Sequence, residues 1–151
     1  MQPHPQLSTF LKPFKSDIQD LFFDLRSFIL KTVPDCNELI WDNYNALAIA
    51  YSKSEKLKDA FCNLALYGKH VNFGFNRGAE LSDSAIKLEG QGKLIRHLKV
   101  HDFEKFPVGE VAPIVMEALG ISEERNAQLR NKSTEGKCII MSVSEKKRRP
   151  V

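Results

Sequence analysis

The sequence predicts an α+β fold, a two-layer sandwich in which helices pack on one face of an antiparallel β-sheet. Three observations indicate it. A long amphipathic stretch lies near the N-terminus, four segments with strand-like alternation follow it, and a second amphipathic stretch comes after them. Short polar connections between successive strands favour an antiparallel meander. A sandwich results when both helices place their apolar stripes on the same face of that sheet.

The first predicted helix covers residues 16–32. Ser16 and Gln19 have the spacing of a capping box, and Val33-Pro34 ends the periodic pattern. Residues 1–13 contain three prolines and little periodicity, which predicts a flexible N-terminal arm. The apolar residues that recur at helical spacing must face another layer of the fold: Ile18, Leu21, Phe22, Leu25, Phe28 and Ile29.

Strands are predicted at residues 46–51 and 61–67 and in two arginine-bearing segments, 70–77 and 96–100. A second helix is predicted over about residues 107–119, shortened or kinked by Pro113 and capped by Gly120. Residues 14–120 thus form the predicted α+β domain. Residues 121–151 form a C-terminal extension with a basic tail, in which 123–130 suggest an exposed helix and 138–143 a short apolar run.

Charge and cysteine content restrict the class of function. The formal net charge is +3, and residues 145–149 alone contribute +3, so the body of the chain is neutral. A neutral body argues against general nucleic-acid binding, and the tail is interpreted as a solvated end. The three cysteines lack disulfide or metal-ligand spacing and are read as reduced thiols. With no apolar run that could cross a bilayer and no signal peptide, the sequence predicts a cytoplasmic protein.

Two arginines make the most informative pattern. Arg77 continues the apolar phase of Val71, Phe73 and Phe75, and Arg96 shares a strand face with Leu98 and Val100. Antiparallel pairing of the two strands would bring both guanidinium groups to one edge of the sheet. That edge could hold a carboxylate or phosphate, with nearby glycine amides and further basic groups. The predicted anion-site residues are Arg77, Gly90, Gly92, Lys93, Arg96, His97 and Lys99.

An alternative reading gives the arginines a structural role. Arg77 and Arg96 would then pair with Glu80, Glu89, Glu38 or Asp42 and fix the loop over the sheet. His97 and Lys99 face away from Arg96 on the strand pattern, which weakens their claim to the same pocket. Trp41 and Tyr44 could form the wall of a pocket, although packing is the simpler interpretation.

The segments 72–81, 88–93 and 96–99 resemble the YdhG-like family of bacterial domains of unknown function, over about residues 14–119. The resemblance implies an α+β fold. One branch of that family is described as a frataxin-like intracellular iron chaperone. This would imply weak iron binding by carboxylates of the first helix, where Asp17, Asp20 and Asp24 line one face. Any amphipathic helix also places charge opposite its apolar stripe.

Two catalytic motifs are excluded by sequence. Gly90-Gln91-Gly92-Lys93 lacks the spacing of a P-loop, and Leu94 stands where magnesium binding needs Ser or Thr. His97 and His101 are too far apart on a strand to share a zinc ion. The sequence therefore favours a binding protein without a resident cofactor over an enzyme. Its ligand would be a small anion or an acidic partner at the arginine edge; the alternatives are an iron chaperone and a protein-interaction module that uses residues 144–151.

Overall fold

The computed structural model describes residues 1–133, 135–148 and 150, and the predicted α+β fold is confirmed. The α-helices of this part are α1 (Leu7–Leu11), α2 (Ser16–Thr32) and α3 (Val108–Arg125). None of them is both long and apolar enough to span a membrane. The strands are β1 (Asn37–Asp42), β2 (Leu47–Ser52), β3 (Ala60–Leu66), β4 (Val71–Phe75), β5 (Arg96–Val100) and β6 (Cys138–Val143).

The sheet is an open, mixed sheet with the strand order β5-β4-β3-β2-β1-β6. Strands β1 to β5 form the predicted antiparallel meander, in which each strand pairs with the next along the chain. Strand β6 lies at the edge and runs parallel to β1. The sequence predicts a wholly antiparallel sheet, and the parallel β6 departs from that prediction. The sequence shows residues 138–143 only as a short apolar run, and their position and direction in the sheet depend on the long connection from α3.

The helices cover one face of the sheet. Helix α2 has the predicted bounds, but Ser16 is its first helical residue rather than its cap, and the predicted capping box is absent. Helix α3 is longer than predicted and continues through Pro113 and Gly120 to Arg125. Its buried stripe extends as far as Ser122, and this packing against β3 outweighs the poor helix propensity of glycine.

The N-terminal segment is packed, in contrast to the predicted flexible arm. Leu7 and Leu11 of α1 are each 1% exposed and belong to the main hydrophobic core. The backbone carbonyl of Met1 accepts a hydrogen bond from Arg26 Nη2, and the carbonyl of Gln2 accepts one from Cys138 Sγ. Residues before α1 therefore lie against the helix face of the sheet. The short helix was not predicted because five residues carry too little periodicity.

Strand β1 was also missing from the predicted strands, because two of its inward-facing residues are acidic. Glu38 is fully buried and accepts hydrogen bonds on Oε2 from Arg26 Nε at 2.8 Å and from the Tyr51 hydroxyl at 2.7 Å. Cys138 Sγ lies 3.3 Å from the other carboxylate oxygen, and its single thiol hydrogen is shared between that oxygen and the Gln2 carbonyl. Burial, together with the Glu38 carboxylate, raises the pKa of Tyr51 well above its ordinary value. Partners from distant elements make a buried glutamate tolerable.

The basic tail folds back onto the sheet, which corrects its interpretation as a solvated end. Lys147 forms an ion pair with Asp42, whose side chain is fully buried, and also lies over the ring of Phe10 at 5.8 Å from its centroid. The backbone amide of Arg148 donates to the carbonyl of Tyr44 at 2.8 Å. Arg149, the last of the predicted basic run, is outside the described residues. The tail thus supplies the counter-charge for a second buried carboxylate of β1.

Candidate functional site

The two arginine-bearing strands pair as predicted. Strands β4 and β5 are antiparallel, with Phe75 opposite Arg96 and Phe73 opposite Leu98. Directly opposed residues of an antiparallel pair share a face, so Arg96 belongs to the helix side of the sheet. Arg77 lies just beyond the end of β4, in the turn that leads into a short 3-10 helix at Gly78–Glu80.

Each arginine has its own protein acceptors. Arg77 Nε donates to Glu80 Oε2 at 2.7 Å, which is one of the ion pairs that the sequence left open. Arg96 Nη1 instead donates to the carbonyls of Gly92 at 2.7 Å and Ile95 at 2.8 Å. Arg96 therefore holds the loop that precedes its own strand. The hydrogen bond and ion pair from Arg77 lower the Glu80 pKa, and the positive charge of Arg125 adds to this effect.

The predicted anion site is not one cavity. Arg96 lines a recess formed with Gly78 and residues 79–88, whereas Arg77 lines a different, smaller cavity beside α3. Gly78 is tight against β5, because a Cβ there would lie 2.5 Å from the Arg96 Cβ. His97 and Lys99 are on the opposite face of the sheet, as the strand pattern indicates.

The glycine loop does not gather around either arginine as a cradle. Gly90 has a φ of +137°, and a Cβ there would lie 2.7 Å from the Ile95 carbonyl oxygen. Gly92 and Lys93 are exposed, and a Cβ on Gly92 would meet no atom within 4 Å. The glycines thus shape the turn into β5, and Gly92 adds a carbonyl acceptor for Arg96.

The acidic residues proposed for iron are exposed on α2. Asp17, Asp20 and Asp24 lie on the side of the helix opposite its buried stripe. The Asp17 carboxylate accepts a hydrogen bond from the backbone amide of Ile18, as first-turn acids do. Among the described residues, no group of three or more His, Cys, Asp or Glu side chains could hold a metal ion.

A cationic groove that sequence reasoning missed lies between the β2–β3 connection and the C-terminal end of α3. Ser122 Oγ donates to the Asp59 carbonyl at 2.7 Å and fixes the two elements to each other. The open groove has a volume of about 610 Å³ and joins the small cavity beside Arg77 through shared lining residues. Its basic residues, which we call the groove cations, are Lys56, Lys58, Arg125 and Lys132.

The groove cations are available to a ligand. All four are exposed, and within the described ranges none of them has an ion-pair partner within 4 Å. The one carboxylate in the lining, Asp59, accepts a hydrogen bond from the Ser54 hydroxyl. Arg77 extends the positive charge into the small cavity, where Phe61 and Ile121 provide an apolar wall. The open groove therefore carries excess positive charge, whereas the small cavity, at about 10 Å³, has room for about one water molecule.

Sequence reasoning did not predict this groove because its residues are far apart along the chain. Lys58 and Arg125 are 67 positions apart, and each lies in a segment that the sequence presents as an ordinary polar surface. The three cysteines contribute nothing to it: Cys36 and Cys62 are buried in the core, Cys138 lies in β6, and none forms a disulfide.

Comparisons of the chain with protein-family models, curated proteins and solved structures gave no match.

Proposed function

We propose that this protein binds a small, multiply charged anion in the cationic groove. The observation that carries the proposal is the convergence of Lys58, Arg125 and Arg77 on one cavity, with Lys58 and Arg125 free of ion pairs among the described residues. Lys58 and Arg125, which have no ion-pair partner within 4 Å among the described residues, repel each other, and a bound anion relieves that repulsion. This retains the predicted class of ligand but moves its site from the sheet edge to the end of α3.

The groove cations have complementary chemistry. The planar guanidinium of Arg125 can bind a phosphate or carboxylate through two parallel hydrogen bonds, whereas Lys58 acts as a mobile point charge. Arg77 is already paired with Glu80, so it contributes long-range attraction more than a direct contact. We place this binding in the cytoplasm, which the three unoxidised cysteines support.

The test is a calorimetric titration with inorganic pyrophosphate and with citrate, which carry several charges in different geometries. We expect Lys58→Ala and Arg125→Ala each to weaken binding by roughly tenfold or more, the value of a hydrogen bond between charged groups. Lys31→Ala is the matched control, since Lys31 is exposed on α2 and its replacement changes net charge equally.

Arg96→Ala separates the groove from the sheet-edge site that the sequence predicts. Because Arg96 contacts loop carbonyls and lines another recess, we expect its replacement to leave groove binding unchanged. If Arg96→Ala abolishes binding while Arg125→Ala behaves like the Lys31→Ala control, the ligand binds at the sheet edge and our proposal is wrong.

A further inference from the structure

The outer face of the sheet, opposite the helices, carries a continuous row of paired residues across five strands. Lys99 pairs with Asn72, Asn72 with Ala65, Ala65 with Ala48, and Ala48 with Trp41. Lys99 is exposed and the other four are half-buried, so the row is accessible along its whole length. Four inter-strand spacings of about 4.8 Å make this row roughly 19 Å long.

The row forms a shallow trough. Its centre is lined by alanines, and the neighbouring row has two further small residues, Gly74 and Ala50, at buried positions. Gly74 allows the Asn63 amide to lie across it, because a Cβ there would lie 2.6 Å from Asn63 Oδ1. Trp41 on β1 is the large side chain at one end of the row, and the rings of Tyr67 and His70 lie beside its β3 and β4 part, two positions along the strands from Ala65 and Asn72. A flat ligand can therefore contact the sheet surface between them.

Rings and positive charge are combined beside strands β3 to β5. Tyr67 and His70 stack with their centroids 5.0 Å apart, and His101 follows 5.8 Å from His70. Lys99 lies close enough to help lower the His70 pKa, after burial. No strand residue on this face is a carboxylate; the nearby Glu89 is at the edge and faces His97.

We propose that the outer face binds single-stranded RNA, a function beyond the anion binding proposed above. Unpaired bases are flat and stack on aromatic side chains, which Trp41 provides at the β1 end of the trough and the Tyr67–His70 pair provides beside its β3 and β4 part. Lys99 and the exposed Lys69 provide the charge that phosphates need.

An amide of the row, on β4 beside Lys99, favours RNA as the ligand. Asn72 Oδ1 is buried and has no hydrogen-bond donor among the described residues. A ribose 2′-hydroxyl, which DNA lacks, can provide that donor when the amide turns toward the trough. The site is short and only locally basic, so this proposal requires weak, salt-sensitive binding of a few nucleotides. It thereby agrees with the predicted absence of general nucleic-acid binding.

Trp41 provides a direct readout because it is the single tryptophan of the chain. We would titrate the full chain with a single-stranded octaribonucleotide of mixed sequence at low ionic strength and follow tryptophan fluorescence and amide NMR shifts. We expect quenching of Trp41 and shifts at Asn72 and Lys99. Lys99→Glu should weaken binding roughly tenfold, whereas Lys31→Glu, with the same charge change on α2, should leave it within about twofold.

Three outcomes would overturn the proposal. The first is unchanged Trp41 fluorescence and unchanged NMR signals of the wild type at saturating RNA, a result that needs no variant. The second is equal quenching of Trp41 fluorescence when a single-stranded DNA octamer or an RNA duplex replaces the octaribonucleotide, since the proposal requires both the 2′-hydroxyl and unpaired bases. The third is loss of RNA binding in Arg125→Ala but not in Lys99→Glu. That result would place the RNA-binding site in the cationic groove, and it would not contradict the anion binding proposed there.

Discussion

Replacing Arg26 with methionine tests whether the buried carboxylate of Glu38 depends on its ion pair. The side chains of Arg26 and Glu38 are 8% and 0% exposed, and Nε and Oε2 are 2.8 Å apart. Methionine keeps much of the aliphatic packing but removes the charge and the hydrogen bond to the Met1 carbonyl. Because a buried carboxylate would then lack its counter-ion, we expect the free energy of unfolding to fall by about 3–5 kcal/mol.

That loss is a large part of the total stability of a typical domain, so it is readily measured. The assay is urea denaturation followed by Trp41 fluorescence, with the slope of the transition checked for two-state behaviour. For a chain of this length the melting temperature should fall by roughly 6–20 °C. Tyr51→Phe, which removes only the hydroxyl that donates to Glu38 Oε2, should cost less, about 1.5–3 kcal/mol.

A double variant identifies the cause. In Arg26→Met/Glu38→Gln the buried group is a neutral amide that needs no counter-charge, so the double variant should be more stable than Arg26→Met by roughly 1–2 kcal/mol. The reasoning would be refuted if Arg26→Met lost less than about 1 kcal/mol. The reasoning would also be refuted if the double variant lost as much unfolding free energy as Arg26→Met and Glu38→Gln lose together, since additivity means that the two groups do not interact.

Further predictions concern the tail, the arginine turn and two titrating groups. Deleting residues 147–151 removes the cation that pairs with buried Asp42, and we expect urea denaturation to show a loss of about 1–3 kcal/mol. Gly78→Ala places a Cβ 2.5 Å from that of Arg96, so it should destabilise the fold by about 1–3 kcal/mol; an unchanged denaturation midpoint would contradict this. Burial, with nearby Lys99 and His101, lowers the His70 pKa, so its contribution to stability is present above pH 6.5 and is lost on acidification; NMR titration should give a value below 6.5. Burial raises the pKa of Cys36 from 9.0 to about 12, so unfolding should become easier as the pH rises between these values, and Cys36→Ala should reduce that dependence.

Local patterns in the sequence were enough for most of the fold. The period of the apolar residues predicts α2 with its bounds, and the polar connections predict the order of β2 to β5, because a two-residue link such as Gly68-Lys69 permits only adjacent antiparallel strands. The same alternation correctly places Arg96 on one face of the sheet and His97 and Lys99 on the other. What these features share is that neighbours along the chain determine them.

Tertiary structure determined the rest. Glu38 and Asp42 conceal β1 from pattern reasoning, and only their partners Arg26 and Lys147, brought from α2 and the tail, make their burial possible. The cationic groove arises in the same way, since it joins the β2–β3 connection to the end of α3. The sequence by itself determined which segments are helices or strands and which faces are apolar, because those depend on local periodicity. Which charges meet, and which lack an ion-pair partner in the described part of the chain, was decided by contacts between distant segments that no local pattern records.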